Sequence, residues 1–170
     1  TQGPKVKAFE ETFRKRHEAG YALATTSCTT GLHLILAGLD IGPGDEVIVP
    51  SFTWVATANV VLYCGATPVL VDVDPQTFNI RPDNIKKAIT PKTKAIIVVH
   101  LFGLCADMAA IKSVAGSIPI IEDAACASGA RYKGRSAGTL GLAGAFSFHP
   151  RKSVTTGEGG MVTTNDSQLA

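Results

Sequence analysis

Short apolar runs recur along the chain, separated by stretches in which apolar positions return every three or four residues. The runs at 47–49, 68–73, 95–99 and 118–121 are rich in Val and Ile and bounded by turn residues, as buried strands are. Between them, 29–38, 53–63, 82–89 and 107–115 carry helical spacing. This alternation is the pattern of βαβ units, so the expected fold class is α/β, a mostly parallel central sheet with helices on both faces. Ahead of it, residues 6–19 set Val6, Phe9 and Phe13 at helical spacing among charged side chains, which reads as a surface helix. Two more strand-like pieces, 144–148 and 160–163, have only a loop, 149–159, between them, so the βα rhythm breaks there. Ligands of such sheets gather beyond the carboxyl ends of strands. Ser51, His100, Asp123 and Ser147 fall at those ends. No internal repeat, low-complexity tract or interdomain linker interrupts the pattern.

Composition narrows the picture. With 45% hydrophobic and 18% charged residues the chain is expected to bury a full core. A formal charge of +2, with basic residues scattered, gives no footprint for nucleic acid or an anionic membrane. The longest apolar run, 95–99, is too short to cross a bilayer, and residues 1–20 are polar, without the apolar centre of a leader peptide. A cytoplasmic protein is expected. Cys28, Cys64, Cys105 and Cys126 show neither a CxxC pair nor metal-ligand spacing, and are expected as small buried thiols in a reducing compartment. Residues 167–170 begin a helix that has no body, so a carboxy-terminal truncation is expected.

Candidate chemistry sits at four places. Asp123 closes the apolar run at 118–121 and reads either as a turn or cap aspartate or as a carboxylate waiting for a cationic N–H. Lys152 lies in the loop from Ser147 to Gly160, rich in glycine at 157, 159 and 160. It is either a solvated charge or an amine held in a cleft as nucleophile and proton carrier. Ser27-Cys-Thr-Thr30 precedes an apolar helix. It reads as ordinary N-capping or as an anion site built from exposed N–H groups and neighbouring hydroxyls, to which Ser147 would add a donor. Trp54 stands at a strand-to-helix junction, to stack on a ring or to pack in the core. A lysine amine, a carboxylate, an aromatic plane and phosphate donors are the parts a pyridoxal 5'-phosphate (PLP) site requires. His100 reads as a satisfied core histidine, and His149 stays undecided. Gly42-Pro-Gly44 precedes a strand instead of following one, and Gly138, Gly141 and Gly144 lack dinucleotide-binding spacing. No P-loop, HExxH or GxSxG occurs.

At these residues the sequence resembles the DegT-type sugar-nucleotide aminotransferases, among the fold type I PLP enzymes. The matching stretches are Gln2-Gly-Pro4, Thr26-Ser-Cys-Thr-Thr-Gly-Leu32, Gly42-Pro-Gly-Asp-Glu-Val-Ile-Val-Pro50 and Thr53-Trp-Val-Ala-Thr57. They continue through Val99-His-Leu-Phe-Gly103, Glu122-Asp-Ala-Ala125 and Phe146-Ser-Phe148 to residues 152–161. The resemblance implies that Lys152 forms the Schiff base with the cofactor and that Asp123 partners its pyridine nitrogen. It also implies that Trp54 stacks on the ring and that Cys28, Thr29 and Ser147 bind the phosphate. The reaction it implies moves an amino group, typically from glutamate, onto a keto group of a nucleotide-linked sugar, as in polysaccharide or antibiotic-sugar biosynthesis. Lys152 would carry the proton between the substrate carbon and the cofactor. A related branch of dehydratases replaces this lysine with histidine, so Lys152 points away from it; an inactive, partly folded fragment is the third reading. One departure falls at Cys126, three residues past the aspartate, where the family often has Gln or His near the ring hydroxyl and where a thiol is a weak donor. The other is length. The resemblance implies that residues 1–170 correspond to the cofactor-binding large domain alone, without the family's carboxy-terminal small domain, and that the protein works as a homodimer.

Overall fold

The computed structural model describes residues 3–170; Gln2, in the first matching stretch, lies outside them. The chain runs through α1 (Pro4–His17), β1 (Tyr21–Thr25), α2 (Cys28–Gly38), β2 (Glu46–Pro50), α3 (Ala56–Tyr63), β3 (Thr67–Val71), α4 (Pro82–Ala88) and β4 (Thr93–Val99). It continues with α5 (Met108–Ala115), β5 (Ile120–Asp123), a small hairpin of β6 (Arg131–Tyr132) and β7 (Arg135–Ser136), then β8 (Ala143–Ser147) and β9 (Gly160–Thr164). Seven of these strands form one sheet in the order β1-β9-β8-β5-β4-β2-β3. β3, β2, β4, β5 and β8 pair in parallel, whereas β9 runs antiparallel to both its neighbours, β8 and β1.

The α/β expectation holds, and the reason lies in which residues are buried. Val47, Ile48, Val49, Ala95, Ile96, Ile97, Val98 and Ile121 have no exposed surface, because both faces of the central strands are covered. One face carries Val47, Val49, Ile97, Ala145 and Val162, packed under α2 and α3. On α2, Leu32, Ile35 and Leu36 follow helical spacing and are fully buried, each contributing about 1.5–3 kcal/mol by removal from water. The other face carries Ile48, Ile96, Val98 and Ile120 under α4 and α5. There α1 covers Phe146, Phe148 and Met161 with Phe9 and Phe13.

Several details differ from the pattern-based expectation. Helix α3 starts at Ala56 rather than at 53, because residues 51–54 first turn away from β2 and the Thr57 N–H then closes on the Trp54 carbonyl. The hydrophobic pattern marks neither strand β1 nor the β6–β7 hairpin. β1 alternates alanine with larger residues and stays half exposed at the sheet edge; the hairpin turns on Lys133 and Gly134, both at positive φ (49° and 82°). Not every cysteine is a buried thiol. Cys28 is buried, Cys64 and Cys105 are half-buried, and Cys126 is exposed, in the turn that leaves β5. Among the described residues no helix is long and apolar enough to cross a membrane.

Candidate active site

A cavity of about 310 Å³ opens at the carboxyl ends of β1, β2, β5 and β8. Its lining includes Cys28, Thr29, Trp54, Asp123, Ser147 and Lys152. Six of the seven residues expected at the site therefore line one space, and the seventh, Cys126, joins through Lys152. Each is placed there by a strand end or by the turn after it.

Asp123 ends β5, and its side chain points to the α2 side of the sheet, where it is 6% exposed. Its Oδ2 accepts the Thr57 hydroxyl at 2.8 Å and its Oδ1 the Ala125 N–H at 3.1 Å. Among the described residues no Lys, Arg or His pairs with it. A buried carboxylate with neutral donors only is a demand for a cationic partner, and a protonated ring nitrogen meets that demand. The cap-or-turn reading describes only the Ala125 bond. Beneath the carboxylate, the Cys28 thiol lies 3.8 Å from Oδ1 and 3.4 Å from the Ala145 carbonyl. Burial, and then the nearby Asp123 charge, push this thiol well above the ordinary range, so it stays a neutral weak donor.

The Ser27–Thr30 run divides its labour. Ser27 caps α2, its Oγ accepting the Thr30 N–H at 3.1 Å, while Thr30 Oγ1 accepts the Ser27 N–H at 3.0 Å. That reciprocal box accounts for Ser27 and Thr30. It leaves the N–H groups of Cys28 and Thr29, the first two of the helix, without an intrahelical acceptor, beside the Thr29 hydroxyl. Capping and an anion site thus coexist, and Cys28 offers its backbone rather than its thiol. The helix start is held against β9: a Cβ on Gly160 would overlap the Ser27 backbone.

Lys152 sits in the β8–β9 connection, in a turn closed by its own N–H on the His149 carbonyl at 2.9 Å. Its Nζ donates to Cys126 Sγ at 3.0 Å, so the amine is drawn over the cavity instead of into solvent. Trp54 is 74% exposed on the cavity rim, which rules out a core-packing role and leaves its ring free to cover a ligand. His149 also lines the cavity; its Nδ1 accepts the Arg151 N–H at 3.2 Å. His100 lies elsewhere, fully buried, with Nε2 2.8 Å from Glu122 and Nδ1 accepting the Ala106 N–H. It is the satisfied core histidine its pattern suggested. Ser51 bonds Asp72 and takes no part. Thr57 went unassigned in sequence; the four-residue spacing of Thr53 and Thr57, which aligns hydroxyls along a helix, was the available signal.

The donor set fits a flat phosphorylated ring with a cationic nitrogen. The sequence profile of the DegT/DnrJ/EryC1/StrS aminotransferase family matches residues 1–170. The chain belongs to that family. A GDP-perosamine synthase from Caulobacter vibrioides is 53% identical over 167 residues, 97% of this chain and 45% of that protein. The aminotransferase from Psychrobacter cryohalolentis superposes with a TM-score of 0.96 at 48% identity, covering 98% of this chain and 43% of the other. Spr1654 from Streptococcus pneumoniae, solved in a PLP-form, superposes at 0.94 with 38% identity over 100% of this chain and 48% of its own. The chain therefore shares the fold of these solved aminotransferases over its own length and spans about half the length of these relatives.

Proposed function

We propose that residues 1–170 form the cofactor-binding large domain of a PLP-dependent aminotransferase that moves an amino group from glutamate onto a keto group of a nucleotide-linked sugar. The observation that carries this reading is the buried carboxylate of Asp123, without a cationic partner among the described residues, on one wall of the cavity that Lys152 also lines. PLP, when bound, supplies an electron-withdrawing ring that stabilises negative charge on the carbon bearing the amino group. Asp123 holds the ring nitrogen protonated. The N–H groups of Cys28 and Thr29, with the hydroxyls of Thr29 and Ser147, bind the phosphate at the start of α2. Trp54 covers the ring face and excludes water. Cys126 orients Lys152, whose Nζ takes up and returns the proton. A nucleotide sugar as acceptor is supported by the GDP-perosamine synthase relative, and Lys152 favours amino transfer over dehydration. The exposed Phe52, Trp54, Val55 and Phe102 at the carboxyl ends of β2 and β4 support a homodimer in which a second subunit covers the rim. A cytoplasmic setting suits both substrates.

The test uses the full-length protein. Added PLP should produce a visible absorbance band that Lys152→Ala abolishes, and glutamate should discharge the band with release of 2-oxoglutarate. Asp123→Asn should keep part of the cofactor affinity and lose turnover. A band that persists without Lys152, or full activity in Asp123→Asn, would overturn the assignment.

A further inference from the structure

Thr57 has no exposed surface, and its hydroxyl has two neighbours, Asp123 Oδ2 at 2.8 Å and Thr53 Oγ1 at 3.0 Å. A carboxylate can only accept, so the single Thr57 proton points at Asp123, and Thr57 must in turn accept from Thr53. The three side chains make a one-way chain, Thr53 to Thr57 to Asp123, with each hydroxyl's orientation set by the carboxylate at its end. The two hydrogen bonds hold the Thr57 side chain in one orientation in the first turn of α3, and full burial denies water the chance to replace it.

The same residue also reaches the turn that carries Trp54, another lining residue of the cavity. Its backbone N–H donates to the Trp54 carbonyl at 3.0 Å. Thr57 thus ties the strand end that carries Asp123 to the turn that carries Trp54, two elements far apart in sequence. The other oxygen of Asp123 has the Ala125 N–H, which fixes one end of the carboxylate; without Thr57 the group could rotate about that bond.

We propose that Thr57 is a positioning residue for amino transfer: its hydroxyl sets the rotation of the Asp123 carboxylate and holds it in register with the Trp54 turn. This rests on the cofactor reading above. Thr57 touches no reacting atom and acts only through Asp123 and Trp54.

Four forms of the full-length protein test it: wild type, Thr57→Val, which keeps the shape and loses the hydroxyl, Thr57→Ser, which keeps the hydroxyl, and Thr57→Ala. PLP affinity is read from absorbance titrations, and the rate of amino-group uptake from glutamate in single turnovers. Thr57→Val should bind PLP about tenfold more weakly and react about ten- to a hundredfold more slowly, the range expected for one lost hydrogen bond to a charged group. Thr57→Ser should restore both to within about threefold of wild type. Equal impairment of Val and Ser would mark a packing role and overturn the inference, as would a valine variant matching wild type in both measurements. If valine prevents folding, the serine–alanine pair isolates the hydroxyl, and equality of those two overturns it as well. A wild type without a Lys152-dependent band would sink the cofactor reading and this inference together, whereas a normal band with an indifferent Thr57→Val sinks this inference alone.

Discussion

His17 is stacked on Phe13, ring centroids 3.9 Å apart, and its Nε2 accepts the Gly129 N–H at 3.4 Å. Burial, with Arg16 and Arg131 adding to it, lowers its pKa from 6.5 to about 4. The native state therefore resists a proton that the unfolded chain takes up readily. Its contribution to stability is intact above pH 6.5 and is lost as the pH falls from there towards 4, in total roughly 2–3 kcal/mol. Denaturant unfolding of wild type and His17→Phe across that window should show a steeper loss in wild type than in the variant; parallel curves would contradict it. A residue of this kind is hard to read from sequence. His17 stands among charged side chains at the end of α1, where a solvated histidine is the ordinary outcome, and the tertiary approach of Phe146 and the 129 turn is what encloses it against Phe13 of its own helix.

At the scale of elements, β5 does two jobs through adjacent residues on opposite faces of the sheet. Asp123 faces the cavity, and Glu122, fully buried, faces the other side. Glu122 Oε1 accepts the N–H groups of Leu140 and Gly141 at 2.6 and 2.5 Å, while Oε2 accepts the Gly138 N–H at 2.7 Å and His100 at 2.8 Å. This explains the three glycines that matched no dinucleotide fingerprint. Gly138 turns at positive φ, and side chains at Gly141 or Gly144 would collide with neighbouring backbone. The turn can therefore wrap the carboxylate and feed β8 into the sheet beside Asp123. Glu122→Gln turns one acceptor into a donor facing N–H groups and should cost about 3 kcal/mol in urea unfolding; a change below about 1 kcal/mol would refute the role. Element existence was legible because β2, β3, β4 and β5 carry short aliphatic runs and α2 a stripe of Leu32, Ile35 and Leu36, whereas β8 was marked only by the small and aromatic residues from Ala143 to Phe146. The Lys152 loop and the Ser27–Thr30 turn were legible from their residue types. Glu122 and Thr57 were not, since a carboxylate and a hydroxyl declare their purpose only through partners many residues away.

For the whole molecule, burial is steepest in β2, β4 and β5, where residues 47–49, 95–98 and 121–122 have no exposed surface, and shallowest in β1 at the edge. Amides of the central strands should exchange with solvent only through global opening, whereas those of β1 should exchange through cheaper local opening. Hydrogen exchange followed by mass spectrometry reads the difference directly; uniform protection across the sheet would exclude it. The pairing of β1 with β9, Tyr21 opposite Thr164, has a consequence for biosynthesis. At roughly 5–20 residues per second, β1 is made about seven to thirty seconds before its partner strand exists. During that interval its hydrogen-bonding edge is open to other nascent chains. Glu10, whose carboxylate accepts the Ala24 N–H at 2.8 Å, is already translated: α1 can hold the orphan strand from behind until β9 arrives to complete it.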